Sequence, residues 1–514
     1  MRRFCVFLLC AVLLCACSGS PRHAANGTAV LRIADIVDPP SLDPLLAHDQ
    51  MTIGYDLLIS QTLVGIDAAN RLVPVLVTRI PTRENGDISA SGTRITYHLR
   101  RGARFADGTP VTSADVAFTY RAIMDPHNNV LSVDAYQRIA SLQTPDPYTV
   151  VIHLKQPWNA AVTRLFAQSD FAFGILPAHA FASTRLERSP WEQHPFGSGP
   201  FRVAEWRRGD RIVLESNPYF RPKPLLARIE LRIIPNAQAA FNALRSGEVD
   251  IAPIYPEMFD QARAARGIRV LQTPENATFW LSVQTTRPPT NSVNVRKAIA
   301  YAVDMGTIAD VYRRMYPQAA AFLPPVLAWH DATVKPYPHD PRKASALLGG
   351  EHPDILIVTS SEAQLYNRIA TVVQQQLTQA GMRVTIKQFS TALFNAPEGP
   401  VRNARFTLSI DGWIGGADPE QSVVFLCSQA NQEGDNISRY CNPHFEALFR
   451  DQARTSSTEQ RRRDFIAMQR LIHDDVPVIP MYYETYTEGV STRVRGFARN
   501  MLRYPVTPEM WSVR

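Results

Sequence analysis

Two periods of apolar positions take turns along the chain, with turn residues between them. Leu31-Arg32-Ile33-Ala34 alternates like a strand, and Pro39-Pro40 closes it. Ile95-Thr96-Tyr97-His98-Leu99 alternates likewise, with Gly102 and Asp107-Gly108 marking turns beyond it. Further strands are predicted at 149–154, 212–214, 229–234 and 384–386. Elsewhere the period lengthens to about 3.6. Thr112-Ser113-Ala114-Asp115 has the spacing of a capping box, and Val116, Phe118, Tyr120 and Ile123 continue its helix to Asp125-Pro126. Helices are also predicted at 236–244, 293–303, 365–380, 443–454 and 459–475, the first ending near Gly247 and the third at Gly381. Interspersed helices and strands without an internal repeat give a mixed α/β, or α+β, architecture.

A chain of 514 residues exceeds one compact core and implies several domains. With 45% hydrophobic and 20% charged residues it is neither disordered nor strongly biased. The net charge of +7 raises the question of a nucleic-acid partner. Only six of the 54 basic residues are lysine, the arginines are scattered, and Arg461-Arg462-Arg463 is their one run. Phosphate backbones call for a concentrated stripe, so no nucleic-acid partner is expected.

The first residues bear on the compartment. Arg2 and Arg3 precede an apolar run from Phe4 to Ala16, too short to span a bilayer and of signal-peptide length. Leu14-Cys15-Ala16-Cys17 resembles the lipobox of bacterial lipoproteins. That resemblance implies a signal peptide over 1–16, a diacylated Cys17 as mature N-terminus, and a lipid tether over 17–30. An ordinary secretory signal cut nearby is the other reading of these residues. No other segment is apolar for long enough to span a membrane. Of six cysteines, four (5, 10, 15 and 17) lie in this leader. Cys427 and Cys441 remain, fourteen positions apart, which suits a local disulfide in an oxidising compartment. Two buried free thiols are the alternative.

The run Leu99-Arg100-Arg101-Gly102-Ala103-Arg104-Phe105-Ala106-Asp107-Gly108-Thr109-Pro110-Val111-Thr112-Ser113-Ala114-Asp115-Val116 resembles the signature of family 5 extracellular solute-binding proteins. These are the oligopeptide- and dipeptide-binding receptors of ABC importers, and Ser113 in place of Ala is the only departure. Gly197-Ser198-Gly199-Pro200-Phe201, Ser246-Gly247-Glu248-Val249-Asp250 and Val295-Arg296-Lys297-Ala298 to Asp304 follow in the family's order. Asp340-Pro341-Arg342-Lys343-Ala344 and Val476-Pro477-Val478-Ile479-Pro480 complete a match over roughly residues 30 to 510.

The resemblance implies a two-lobed, periplasmic-binding-protein-like fold of type II. The larger lobe would comprise 31–273 and 486–514 with an inserted subdomain at about 50–190, and the second lobe 274–485. Hinges are expected near Pro274–Phe279 and Met481–Thr485. It further implies a monomeric receptor, lipid-anchored in the periplasm or on the outer face of the cell membrane. Such a receptor captures a small molecule, a peptide above all, between its lobes and delivers it to an ABC permease complex.

Gly412-Trp413-Ile414-Gly415-Gly416-Ala417-Asp418-Pro419 resembles the family's pocket loop, with a difference. Peptide binders place an acid there for the ligand's α-amine. Here the stretch is one residue shorter, and Gly415-Gly416 occupy the acid's place. Asp411 and Asp418 are the candidate replacements. Trp413, Phe279 and Trp280 are candidate pocket walls, and Asn436 and Arg439 candidate pocket or loop-stabilising residues. Without a replacement acid, free-amine peptides are expected to bind weakly. The alternative ligands are nickel chelates, haem, opines and glycosides. An enzyme on the same fold is a remote alternative: no G-x-S-x-G, H-E-x-x-H or G-x-x-x-x-G-K-[ST] occurs. The twelve histidines are scattered, so neither a metal site nor a cofactor is expected.

Overall fold

A computed structural model describes residues 29–514, apart from 47–49, 131–132, 170, 182, 187–188, 190, 192–193 and 456. The leader, Cys17 and the tether up to residue 28 lie outside the described residues.

Ten strands form one continuous sheet. In chain order they are β1 (Val30–Asp35), β2 (Phe201–Arg207), β3 (Arg211–Ser216), β4 (Arg228–Ile233), β5 (Ile251–Pro253), β6 (Ile268–Val283), β7 (Asp354–Ser360), β8 (Arg383–Phe389), β9 (Leu408–Ile414) and β10 (Val478–Ser491). Across the sheet the order is β8-β7-β9-β6-β10-β5-β1-β4-β3-β2. β1 runs parallel to β4 and β5, and β7 parallel to β8 and β9, while β6 is antiparallel to both β9 and β10.

The first-lobe half buries alternate residues such as Leu31, Ile33, Leu214, Leu231 and Val490. Attached to it is a three-stranded antiparallel sheet of Arg94–His98, Thr149–Leu154 and Ile139–Asp146, with its own core around Tyr97, Phe105, Tyr136 and Phe166. The helix α1 (Ser113–Met124) starts where the capping pattern places it: the Asp115 carboxylate accepts the Thr112 backbone N–H at 2.8 Å. Asn236 caps α2 (Ala237–Ser246) through a 2.9 Å bond from Ala239 N–H, and Gly247, at φ 80°, ends it.

On the β6–β7 side of the sheet, α3 (Val293–Ala302) and α4 (Gln364–Gln379) pack through Ile299, Val373 and Leu377, against Leu281 and Ile357. α4 is the crossover between parallel β7 and β8. α5 (Pro443–Arg454) and α6 (Thr458–Asp475) close the lobe. A shared apolar cluster joins Leu57, Leu502 and Tyr504 to Trp280, Phe425 and Phe465.

The Arg461-Arg462-Arg463 run is not a solvated basic strip. Arg461 is turned inward and buried, for a reason given below.

Candidate functional site

Among the described residues, β6 and β10 are the only strands of the sheet long enough to serve both halves, and their pairing is broken in the middle. Ile268 through Pro274 pair with Ser491 through Thr485; the register then slips before Thr278↔Tyr483 and again before Trp280↔Pro480. Pro274 and Pro480 lack the N–H a ladder needs, which helps to explain the break. Asn276 sits in the slip and holds the loop after β9: its Nδ2 donates to the Gly416 carbonyl at 2.5 Å, and its own carbonyl accepts Gly415 N–H at 2.8 Å. Gly415 and Gly416, expected in the acid's place, are thus buried backbone tied to the crossover.

The same slip carries charge. Arg503 donates from Nε and Nη2 to both oxygens of the buried Glu275, the second bond at 2.8 Å. Glu484 lies 3.6 Å from Arg503 with its side chain 20% exposed. Burial, helped by the neighbouring Glu275 charge and opposed by Arg503, pushes the Glu484 carboxyl up to about 7. Burial raises the hydroxyls of Tyr255, Tyr316 and Tyr366, and the Glu484 charge adds to the rise in each. Between them Tyr482 stacks on Phe279 at 5.1 Å and on Tyr316 at 4.9 Å between ring centres. Glu484 and these tyrosines were not singled out from sequence. The signal was an acid within the aromatic run Tyr482-Tyr483-Glu484-Thr485-Tyr486, at an expected hinge.

Phe279 and Trp280 are adjacent and face opposite ways. Phe279 packs toward Tyr482 and Tyr366, and its ring lies over Gly412, where an added Cβ would stand 2.6 Å from it. No larger residue fits at position 412 without moving that ring. Trp280 lies directly across from Asp411 in the ladder. Its indole N–H donates to Ser282 Oγ at 3.0 Å, and Ser282 Oγ donates to Asp411 Oδ1 at 2.9 Å. Asp411 Oδ2 is buried without a hydrogen-bond partner. Burial raises this carboxyl to about 7, and the bond from Ser282 opposes the rise. Trp280, Asp411 and Trp413 line a cavity of about 230 Å³ together with Phe394, Val401 and Phe425.

The other candidates are engaged elsewhere. Asp418 and Arg461 form a buried bidentate pair at 2.5 and 2.8 Å, with side chains 5% and 10% exposed, so Asp418 points at α6 and does not line the cavity. Asn436 donates to the Leu426 and Tyr440 carbonyls at 3.0 and 2.7 Å. Arg439, at φ 56°, donates to the Asn431, Asn436 and Arg402 carbonyls. Both stiffen the loop closed by the Cys427–Cys441 disulfide. A larger cavity, about 590 Å³, lies along Ser60, Gly65, Arg101 and Tyr219; residues 100–104 of the signature run and Ser198 and Pro200 line it, and none of the candidate ligand-binding residues does. Among the described residues no group of three His, Cys, Asp or Glu side chains is placed to hold a metal ion, and no helix is long and apolar enough to cross a membrane.

Residues 71–434 match the profile of the bacterial extracellular solute-binding proteins, family 5. The probable D,D-dipeptide-binding periplasmic protein DdpA of Escherichia coli is 25% identical over 499 residues, 93% of each chain. The periplasmic binding protein DppA of Helicobacter pylori, solved with the peptide STSA, superposes with a TM-score of 0.76 at 24% identity, covering 95% of this chain and 98% of that one. NikA of Brucella suis, solved with Fe(III)-EDTA, superposes at 0.83 with 19% identity, covering 94% and 100%.

Proposed function

Because the chain belongs to the family 5 bacterial extracellular solute-binding proteins, we propose that it captures a small peptide, or a peptide-like molecule, between its two lobes for an ABC importer. The observation that carries this reading is the crossover. β6 and β10 continue from one lobe into the other, and their ladder breaks at Pro274–Thr278, where Arg503 holds the buried Glu275 and lies 3.6 Å from Glu484. A broken ladder bends at lower cost than an intact one, so the slip is the hinge about which the lobes close on a ligand. The larger lobe is then 31–273 with 486–514, and the second lobe 274–485.

The remainder of the reading follows from the leader. Cys17 carries the lipid, the tether spaces the body from the membrane, and a monomer meets the permease on the outer side. A second reading has its own support. The loop lacks the family acid at Gly415-Gly416, and NikA, a likeness in fold, was solved with a metal chelate. On that reading the solute is not a peptide. Small-angle scattering and calorimetry with a di- to pentapeptide library separate the two. Submicromolar binding with compaction supports the peptide receptor, and compaction with Fe(III)-EDTA alone supports the chelate receptor.

A further inference from the structure

Two short stretches away from the crossover, Gly197-Ser198-Gly199-Pro200 and Asn217-Pro218-Tyr219-Phe220, meet at the cavity of about 590 Å³. Gly197 and Gly199 lie flush against the end of the helix Gln50–Ile59. An added Cβ would stand 2.4 Å from the Ile59 carbonyl oxygen at position 197 and 2.6 Å from its carbonyl carbon at 199. Ser198 is therefore clamped on both sides. It lines the cavity, is 1% exposed, and its Oγ has no hydrogen-bond partner. Native interiors leave few such hydroxyls, and one beside a cavity calls for an occupant. Asn217 ties an aromatic wall to the same place: Nδ2 donates to the Gly199 carbonyl at 2.8 Å, and Oδ1 accepts Tyr219 N–H at 2.9 Å. Tyr219 is 43% exposed, and its ring lies over Gly108, where an added Cβ would stand 2.9 Å from it.

The charge of the lining is uneven. It holds Arg100, Arg101, Arg104 and Arg221 against two acids, Asp67 and Glu509. Arg71 takes Asp67 at 2.8 Å, and among the described residues neither acid forms an ion pair with any of the four. Arg101 is turned to the Tyr148 ring, 4.9 Å away, and Arg100 is tied to the Val77 and Pro74 carbonyls at 2.9 Å each. The other two are anchored beside Tyr219. Arg104 Nη1 donates to the Gly108 carbonyl at 2.7 Å, and Arg221 Nη1 to the Pro218 and Phe220 carbonyls at 2.7 Å each. Both keep Nε and Nη2 as donors to spare.

We propose that this cavity is a second ligand site, for a phosphate monoester on an apolar body, with Arg104 and Arg221 as its counter-charges and Ser198 as a hydroxyl donor. Guanidiniums already oriented by carbonyls meet phosphate oxygens with their remaining N–H groups in charge-assisted bonds. A monoester carries about −1.5 to −2 near pH 7 and three strong acceptor oxygens, enough for two arginines and a hydroxyl together. Tyr219 and the apolar lining at Leu57, Val73 and Pro508 take the body. A volume of about 590 Å³ suits a whole small molecule. The lining lies within residues 57–222 and 505–509, so no residue of the crossover belongs to it. The site stands apart from the proposed hinge, and its failure leaves the peptide reading untouched. A soluble phosphate monoester and the headgroup of phosphatidic acid present the same chemistry.

The test uses ligand-free full-length protein and two pairs of probes: phenyl phosphate against phenol, and dihexanoyl phosphatidic acid against dihexanoyl phosphatidylcholine. Calorimetry at pH 8 and low salt is expected to give a dissociation constant below about 1 mM for a monoester, and binding at least about tenfold weaker for its counterpart. Tighter phenyl phosphate assigns the site to a soluble phosphate, and tighter phosphatidic acid assigns it to a lipid headgroup; either supports the site. The double variant Arg104→Gln, Arg221→Gln changes exposed side chains and is expected to weaken the monoester by about tenfold or more. Ser198→Ala removes a hydroxyl that has no partner, so its melting temperature should equal or exceed that of wild type. Its affinity for the monoester should nonetheless fall severalfold. Monoesters that bind no better than phenol and phosphatidylcholine overturn the site, and so does an affinity that survives in either variant.

Discussion

Asp411→Asn is expected to make the ligand-free protein more stable, and to do so only at neutral and alkaline pH. The carboxyl sits at about 7 in the folded chain against an ordinary 3.8. The folded state therefore binds more protons than the unfolded state between those values, and stability falls as pH rises through them. Three units correspond to about 4 kcal/mol at pH 8. The residue is partly exposed and asparagine keeps a bond to Ser282, so about 2–4 kcal/mol is the expected gain. Near pH 4 the folded carboxyl is neutral and the unfolded one about half ionised, so the gain should shrink to below about 1 kcal/mol. Glu484 titrates in the same direction, so the variant keeps part of the wild-type pH dependence. Urea unfolding followed by tryptophan fluorescence at pH 4 and pH 8 measures the difference. A variant less stable than wild type at pH 8 would refute the reasoning, because it would mean that the folded protein already supplies the charge with a partner.

Three further outcomes are expected. Asp418→Asn should destabilise by about 3–5 kcal/mol, because it leaves Arg461 buried and unpaired; denaturant midpoints check this, and an unchanged midpoint would contradict it. Reducing Cys427–Cys441, fourteen residues apart, should cost about 3 kcal/mol, and neither thiol should alkylate in denatured, unreduced protein. Cys17→Ala should release the folded protein from the membrane fraction, and a variant that still pellets at high salt would rule out the lipid anchor.

The strand at Thr149–Leu154 and the helix at Pro443–Arg454 were legible because period and caps are local properties. The family blocks were legible for the same reason, since each is a short stretch that builds a turn or a helix start. The fates of the two candidate acids were not. Asp411 and Asp418 are equivalent as letters, and their difference is made by Arg461, which lies 43 positions from Asp418 and reads locally as part of a surface run. The pairing of Asn276 with Gly415 and Gly416 spans about as much intervening chain as a domain and has no local pattern. Glu484 was hidden differently: it stood in an expected hinge, but its meaning depends on Tyr255, Tyr316 and Arg503 converging from distant segments.

Mass spectrometry of the small molecules released by denaturing protein purified from its native host tests the account most directly. The expected result is one peptide of two to five residues per protein. A released population without peptides, such as a metal chelate, haem or a glycoside, would contradict it.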